Sequence, residues 1–524
     1  MSYRGEQKIK GTTYVYEATA SWDKNKQHSQ SKRIYIGKKD PVTGEFQPNK
    51  RYYELYPEKA QQKAHESNLM APVSYKTVQS RDYGAVLLMQ EISDRTGLTQ
   101  VLKKNFPTCW ETLLTLAMYL CCENSALYLS TQWAENSVTS VIPTSQRISE
   151  LLSSLTEDQR MSFYRSWATF RTEKEYLALD ITSISSWSDL IEMVEYGYNR
   201  DKEKLPQINL AMLFGEKSHL PVFCRSYPGS IHDVSTLEGM VLFIEELKLS
   251  QMHFVMDKGF FKQKDVDKLL EGYIKFAIGL PLTTKLAKNR INASRGAIVQ
   301  PKNAIEVDGH LYYAMTFLES MNGRRAYVHV YYDPNKAITQ QNSFMHNILR
   351  IEAELKNGER SFTDQDAQKY FNFHKTKSGI NIHRNEAAIN EKMQFAGFFV
   401  LLTNDSKDAQ YILTVYRTKD VVEKSFDNYK NDLDLERLQV HSEAAMEGRI
   451  FLGFLALILM SSIRNVMKEK DLYKNYTFST LMGEFKKLKL IEFSDGHQLY
   501  TETSKHLKSL LKAFDLKIPL LPSI

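Results

Sequence analysis

Residues 175–186 read EYLALDITSISS, in which Glu175 opens the stretch and Asp180 is the one carboxylate of the run from Tyr176 to Ser186. Its short length and apolar character predict a strand. Downstream, INLAMLFG (208–215) and PVFCRSY (221–227) are two further strand candidates, and the segments beside them allow a three-stranded antiparallel meander. Val234 to Leu247 is patterned as an amphipathic helix, HFVMD (253–257) as a short apolar strand, Gln263 to Glu271 as a helix and KFAIGLPL (275–282) as another strand. Residues 283–395 interrupt this series. TKLAKNRINASRGAIVQPKN (284–303) reads as loop, HLYYAMTFLE and RRAYVHVYYD as strands, and the charged stretch to about Asn390 as mostly helical. Buried-strand character returns in FAGFFVLLTND (395–405).

Upstream, residues 1–78 are β-rich and irregular: TTYVYEA and KRIYIG alternate like strands, and DPVTGEFQPNK supplies turn residues. From Tyr83 to Phe170 the apolar period becomes helical, and Thr156 to Gln159 fits a capping box opening SFYRSWATF. Such helices either present a face to DNA or simply pack. The order of three antiparallel strands, helix, strand and further α/β elements is that of the ribonuclease-H-like nucleotidyl-transfer fold. The expected class is α/β, a mixed sheet flanked by helices and interrupted by a β-containing insertion. The expected division is a basic β-rich region (1–78), a helical DNA-end-binding region (79–172), a catalytic domain in two parts (173–282 and 397–470), an insertion (283–396) and C-terminal helices (471–524).

Composition narrows the class. A chain of 524 residues, 42% hydrophobic and 25% charged, is globular and long enough for three or four folded units. The first twenty residues hold no apolar core suited to secretion, and the longest apolar run, FLGFLALILM (451–460), is half the roughly 20 residues of a membrane span. A buried helix, no membrane partner and a cytoplasmic location, on the nucleoid when acting, are expected. The four cysteines, Cys109, Cys121, Cys122 and Cys224, form no CxxC pair, so neither a disulfide framework nor structural zinc is implied. Residues 1–76 carry 14 Lys and Arg against 8 Asp and Glu, a surplus equal to the +6 of the whole chain. Basic surplus at one end fits contact with a polyanion, or a solvated polar face.

In-line cleavage of a phosphodiester is favoured by two Mg²⁺ ions about 3.5–4 Å apart, which need two or three carboxylates converging from strand ends and a nearby helix. Asp180 in YLALD and Asp257 in HFVMDKGFF fit that need, although an Asp at a strand end is also a common turn or cap residue. Asp233 in SIHDVS is a rival for the second acid, but it opens a helix and reads as an N-cap beside a packing or capping His232. In YRTKDVVEKSFDNYK, Tyr416, Lys419, Glu423 and Lys430 fall within an arc of about 60° at 100° per residue. Val422, Phe426, Tyr429 and Leu433 form an apolar side of the same helix. A carboxylate flanked by a phenol and two ammonium groups suits a metal ligand beside donors to phosphates; a solvated face of Lys–Glu pairs would look alike.

The combination resembles the bacterial insertion-sequence transposases with a DDE triad, a retroviral-integrase-like fold and a Tyr-x2-Arg-x3-Glu-x6-Lys signature. Here the signature reads Tyr416, Lys419, Glu423, Lys430, with Lys in place of Arg, which keeps the charge but loses the bidentate fork. The neighbouring Arg417 is an alternative for part of that role, but the spacing favours Lys419. LALDITSIS, GYNRDKEKLPQINLAMLF, YPGSIHDVSTL, VMDKGFF and FFVLLTND resemble further segments of this family in the same order, over about 175–282 and 397–465.

The resemblance implies that Asp180, Asp257 and Glu423 are catalytic metal ligands for two Mg²⁺ ions, with Mn²⁺ as a substitute. It also implies that Tyr416, Lys419, Lys430 and Arg417 contact DNA. Cut-and-paste transposition, by a homodimer or larger assembly on double-stranded DNA, is the implied function. A β-rich insertion between the second Asp and the Glu also resembles relatives, some of which stack a Trp from it on a flipped base. All five tryptophans here lie outside it, so Tyr312, Tyr313, Tyr331 or Tyr332 would have to serve, or they are core residues. The alternatives are a structure-specific nuclease on the same fold, and a transposase-derived protein that binds DNA without chemistry.

Overall fold

Cross-strand pairing divides the described residues into four sheets, the largest of ten strands. The computed structural model describes residues 2–23, 28–41, 43–59, 78–123, 125–170, 176–199, 203–215, 217–231, 253–376, 379–433, 435 and 437–521. The helix expected at 234–247, with Asp233 and His232, lies outside them. The chain forms two compact units, residues 1–79 with 492–497 and residues 80–491 with 498–524.

The first unit is an antiparallel meander of β1 (Ser2–Ile9), β2 (Thr12–Asp23), β3 (His28–Lys39) and β4 (Phe46–Pro48). A short helix, Lys50–Leu55, capped by the Asn49 side chain, follows it.

The second unit is built on the ten-stranded sheet. Its strands are β5 (Tyr176–Ser186), β6 (Gln207–Gly215), β7 (Pro221–Pro228), β8 (His253–Met256), β9 (Lys275–Gly279), β10 (Ala304–Val307), β11 (His310–Met321) and β12 (Arg324–Tyr332). A polar hairpin of β13 (Phe371–Thr376) and β14 (Gly379–Arg384) stands apart, and β15 (Phe398–Thr403) and the two-residue β16 (Arg437–Leu438) complete the large sheet. The order is β10-β11-β12-β15-β9-β8-β5-β6-β7, with β16 on β5. β5, β6 and β7 form the expected antiparallel meander, whereas β8 runs parallel to both β5 and β9. The mixed α/β class is the one expected from the order of apolar runs.

The interruption differs from its sequence reading. β12 pairs with β15 from Tyr327↔Thr403 to Tyr332↔Phe398, so β10 to β12 extend the same sheet instead of forming a separate β domain. A second, smaller core forms around Ile348, Ile351, Leu355, Tyr370 and Ile389. The loop-like stretch holds a helix, Lys285–Ser294, started by the Thr284 hydroxyl accepting from the Ala287 amide. The β13–β14 hairpin was hidden because FNFHKT and GINIHR are too polar to read as strands. The C-terminal stretch, expected as helices alone, also carries strands Lys489–Phe493 and Gln498–Tyr500.

Helices α1 (Gly84–Thr96), α2 (Leu98–Asn105), α3 (Trp110–Cys122), α4 (Ser145–Ser154) and α5 (Glu157–Phe170) share one hydrophobic core with the sheet. The expected capping box opens α5: the Thr156 hydroxyl accepts from the Gln159 amide at 3.3 Å, and the Thr156 amide donates to Gln159 Oε1 at 3.0 Å. The apolar run 451–460 lies in a 27-residue helix, Glu443–Glu469, long and apolar enough to cross a membrane but mostly buried inside the protein. α3 and α4 pack on it. Gly448 makes the α4 contact possible, since a β-carbon there would stand 2.1 Å from the Leu152 carbonyl oxygen.

Candidate active site

Parallel pairing of β5 with β8 runs Tyr176↔His253, Leu177↔Phe254, Ala178↔Val255 and Leu179↔Met256. The next position on β5 is Asp180 and the next on β8 is Asp257, so the two acids follow the last pair side by side. Neighbouring strands lie about 4.8 Å apart. β8 stops there, while β5 runs on and is next met on that side by β16 at Ser185 and Ser186. Asp180 therefore stands at a notch in the sheet, part-buried, with Oδ1 accepting from the Ile181 amide at 2.8 Å. Asp257 leaves its strand and begins a short 3₁₀ turn, Lys258–Phe260.

Two helices bring the remaining groups. α6 (Ala409–Arg417), N-capped by Asp408, packs on β8 and β9, and α7 (Lys419–Asp427) packs on β5 and β6. Val422, Phe426, Tyr429 and Leu433 are buried, as the helical pattern requires. Gly453 of the long helix makes room for this anchor, because a β-carbon there would meet Leu435 Cδ1 at 2.3 Å and the Tyr429 ring at 2.8 Å.

At the end of α6 the Tyr416 hydroxyl donates to Asp257 Oδ1 at 2.9 Å. Burial, then the charge of Asp257, pushes the phenol pKa up, so Tyr416 stays a proton donor. Gly279, at the end of β9, permits this contact: a β-carbon there would lie 2.8 Å from the Tyr416 hydroxyl and 2.9 Å from the Lys258 amide nitrogen. The sequence offered no sign of this beyond a glycine inside a strand.

Lys419 Nζ lies 2.6 Å from Glu423 Oε1. Burial alone would lower the Lys419 pKa, but the bond to Glu423 and the charge of Asp257 outweigh it and the pKa rises. Glu423 is the open member, its side chain 57% exposed against 18% for Lys419. Asp257, Tyr416, Lys419 and Glu423 thus form one electrostatic group, with Asp180 beside Asp257.

Two of the expected residues are placed elsewhere. The uniform helical wheel over 416–430 does not hold: α7 passes into a π-helical turn, Asn428–Asp432, and Lys430 in it is buried, 6% exposed. A π turn adds a residue and rotates the side chains beyond it off the α-helical face. Arg417 faces the β10–β11 side, hydrogen-bonded to the Tyr312 hydroxyl, with its guanidinium 5.2 Å from that ring. Tyr312 and Tyr331 are buried core residues, whereas Tyr313 and Tyr332 are part-buried.

Among the described residues no three His, Cys, Asp or Glu side chains stand close enough to hold a metal ion together. The donor chemistry of Asp180 and Asp257, part-buried carboxylates on adjoining strands, fits a hard divalent cation that keeps some of its waters. Glu423 is not grouped with them here, and its Oε1 accepts from Lys419.

The chain matches the family model described as a transposase DDE domain over residues 169–459, more than half its length. It is a member of the DDE transposase family. Members of this family generally use divalent metal ions. No curated protein matches the chain. Among solved structures, the transposase is similar to one described as the piggyBac transposase synaptic complex with hairpin DNA. The identity is 12% and the TM-score 0.33, over 77% of this chain and 69% of that one. The family match covers β5 to β9, both helices of the site and most of the long core helix.

Proposed function

We propose that this transposase moves a bacterial insertion sequence by cut and paste: it binds the terminal inverted repeats, nicks at each end, and joins the freed 3′-OH to target DNA. The observation that carries this reading is the side-by-side position of Asp180 and Asp257 at the end of their parallel pairing, with Tyr416 bonded to the second of them. A pair of Mg²⁺ ions, when bound, supplies an activated water or 3′-OH and stabilises the leaving oxygen. Asp180 and Asp257 would hold that pair from the sheet and Glu423 from the helix. Tyr416, by donating to Asp257 Oδ1, fixes one carboxylate oxygen and leaves the other free to coordinate. Lys419, kept as an ammonium, is positioned to exchange Glu423 for a DNA phosphate, which would release the third acid toward the other two. Lys430 and Arg417 would contribute to DNA contact by exchanging their present surroundings for phosphates. The basic first unit and the helices of 79–172 would hold the DNA ends, and a dimer or larger assembly would pair two of them at the nucleoid.

The Lys419–Glu423 pairing also favours a second reading, a transposase-derived protein that binds DNA without cutting it. End cleavage of an intact element end, run beside strand transfer of a pre-cleaved, 3′-OH end, separates the possibilities. Joined products support the transposase. Cutting without joining points to a nuclease, and binding with neither reaction points to the non-catalytic protein.

A further inference from the structure

The first unit has two unlike sheet faces. In an antiparallel sheet, residues paired across strands project to the same side. The register sets three rows: Tyr3–Ala18–Arg33, Gly5–Tyr16–Tyr35 and Gln7–Tyr14–Lys38. Trp22 continues the alternation of Tyr14, Tyr16 and Ala18 along β2. The other face carries Arg4, Lys8 and Glu17, and there Arg4 packs on Phe46, Tyr52 and Tyr56 of the β4–helix segment.

The aromatic face is ordered. Gln7 Oε1 accepts from the Tyr35 hydroxyl at 2.8 Å and from Arg33 at 3.2 Å. The Arg33 guanidinium lies 4.7 Å from the Tyr16 ring centre, and Tyr35 makes edge-to-face contacts with Tyr14 and Tyr16. Gly5 lets the Tyr16 ring lie across β1, since a β-carbon there would meet it at 2.7 Å. Tyr3 and Trp22 remain open, 51% and 65% exposed, and Arg33 and Lys38 are also exposed.

We infer that this face binds unpaired DNA, stacking bases on Tyr3 and Trp22 while Arg33 and Lys38 meet the phosphates. Rings presented on a sheet suit bases freed from a duplex, because a paired base has its faces covered by its neighbours. Charge selects a polyanion over an apolar partner, because residues 1–76 carry the chain's entire surplus of six positive charges. The inference deepens the reading of this region as a DNA-end contact and rests on it for the choice of DNA. It specifies which face binds and that the bound strand is unpaired.

The test is fluorescence anisotropy with full-length protein, in EDTA so that nothing is cut, using a labelled 20-nucleotide dT strand and a duplex of equal length. The single strand should bind more tightly than the duplex. The double variant Tyr3→Ala/Trp22→Ala should weaken single-strand binding tenfold or more, as loss of base stacking would, and Arg33→Gln should weaken it severalfold. Lys8→Gln removes the same charge from the opposite face and should change binding less than Arg33→Gln. Trp22→Phe against Trp22→Leu provides a milder comparison should the double variant unfold, and only Leu should weaken binding. Binding by the double variant within twofold of wild type, equal effects of Lys8→Gln and Arg33→Gln with silent aromatic changes, or tighter binding of the duplex would each overturn the inference. Cleavage of element ends is a separate measurement, so failure of the transposase reading would appear there and leave these affinities unchanged.

Discussion

Asp180 and Asp257 each stand one residue past the last paired position, Leu179↔Met256, of two adjacent parallel strands. Nothing in either strand alone distinguishes its acid from a turn residue. The pairing supplies the meaning, because it brings two acidic residues to the ends of neighbouring strand pairings, strands being about 4.8 Å apart, at a place where the sheet opens.

Tyr416→Phe keeps the ring and removes the hydroxyl that orders Asp257 Oδ1. A hydrogen bond to a charged group contributes about 1.5–3 kcal/mol, so end cleavage should fall roughly 10- to 100-fold. Affinity for DNA ends should change less than threefold. A rate within twofold of wild type in single-turnover cleavage would remove Tyr416 from the site.

Gly279→Ala should reproduce that defect by another route, since its β-carbon would crowd both the Tyr416 hydroxyl and the Lys258 backbone. Overpacking of this kind costs about 1–3 kcal/mol in stability. Because both changes break one contact, the double variant with Tyr416→Phe should cut little more slowly than either single variant. Additive losses in rate would show that Gly279 acts elsewhere.

Lys419→Gln separates binding from folding. The Lys419–Glu423 pair is a helical i,i+4 pair with an exposed carboxylate, worth about 0.3–0.5 kcal/mol. Chemical denaturation should therefore shift by no more than that, while affinity for element ends drops severalfold and its salt dependence flattens by about one unit of slope. An unchanged salt slope would argue against a phosphate contact.

How much of this was legible in sequence varies by residue. YLALD and HFVMD mark their acids as candidates, since one carboxylate closes each apolar run, but neither string shows that the two acids stand side by side. Val422, Phe426 and Tyr429 announced a helix face by spacing. The burial of Lys430 leaves no mark in the spacing, because a uniform rotation of about 100° per residue does not describe the π turn in which it lies. Gly279 and the Tyr416–Asp257 bond were silent, as they depend on three segments far apart in the chain. The extension of the sheet by β10 to β12 was hidden for the same reason: an antiparallel partner leaves no mark on a strand's own sequence.

His329 predicts an acid-sensitive fold. It is fully buried, its Nδ1 2.8 Å from the Thr316 hydroxyl and its Nε2 3.0 Å from the Ser406 carbonyl oxygen. A carbonyl only accepts, so Nε2 carries the proton and Nδ1 accepts from Thr316 in the neutral ring. Burial pushes its pKa down to about 4 from the 6.5 of a free histidine. The unfolded chain then binds the extra proton first, so this contribution is intact above pH 6.5, declines as pH falls and is gone below pH 4. Its full size is about 3 kcal/mol. Urea unfolding between about pH 7 and pH 4 should show a loss that is reduced in His329→Gln. Identical pH slopes in the two proteins would contradict it.

The most direct measurement is end cleavage on a gel. Wild type, Asp180→Asn, Asp257→Asn and Glu423→Gln would each be incubated with a labelled duplex carrying the element's terminal repeat, in Mg²⁺ or Mn²⁺. Metal-dependent cutting at the element end is expected from wild type alone, with all four proteins binding the duplex nearly equally. Cutting retained by any one amide variant would contradict the assignment of these three acids to a single catalytic site.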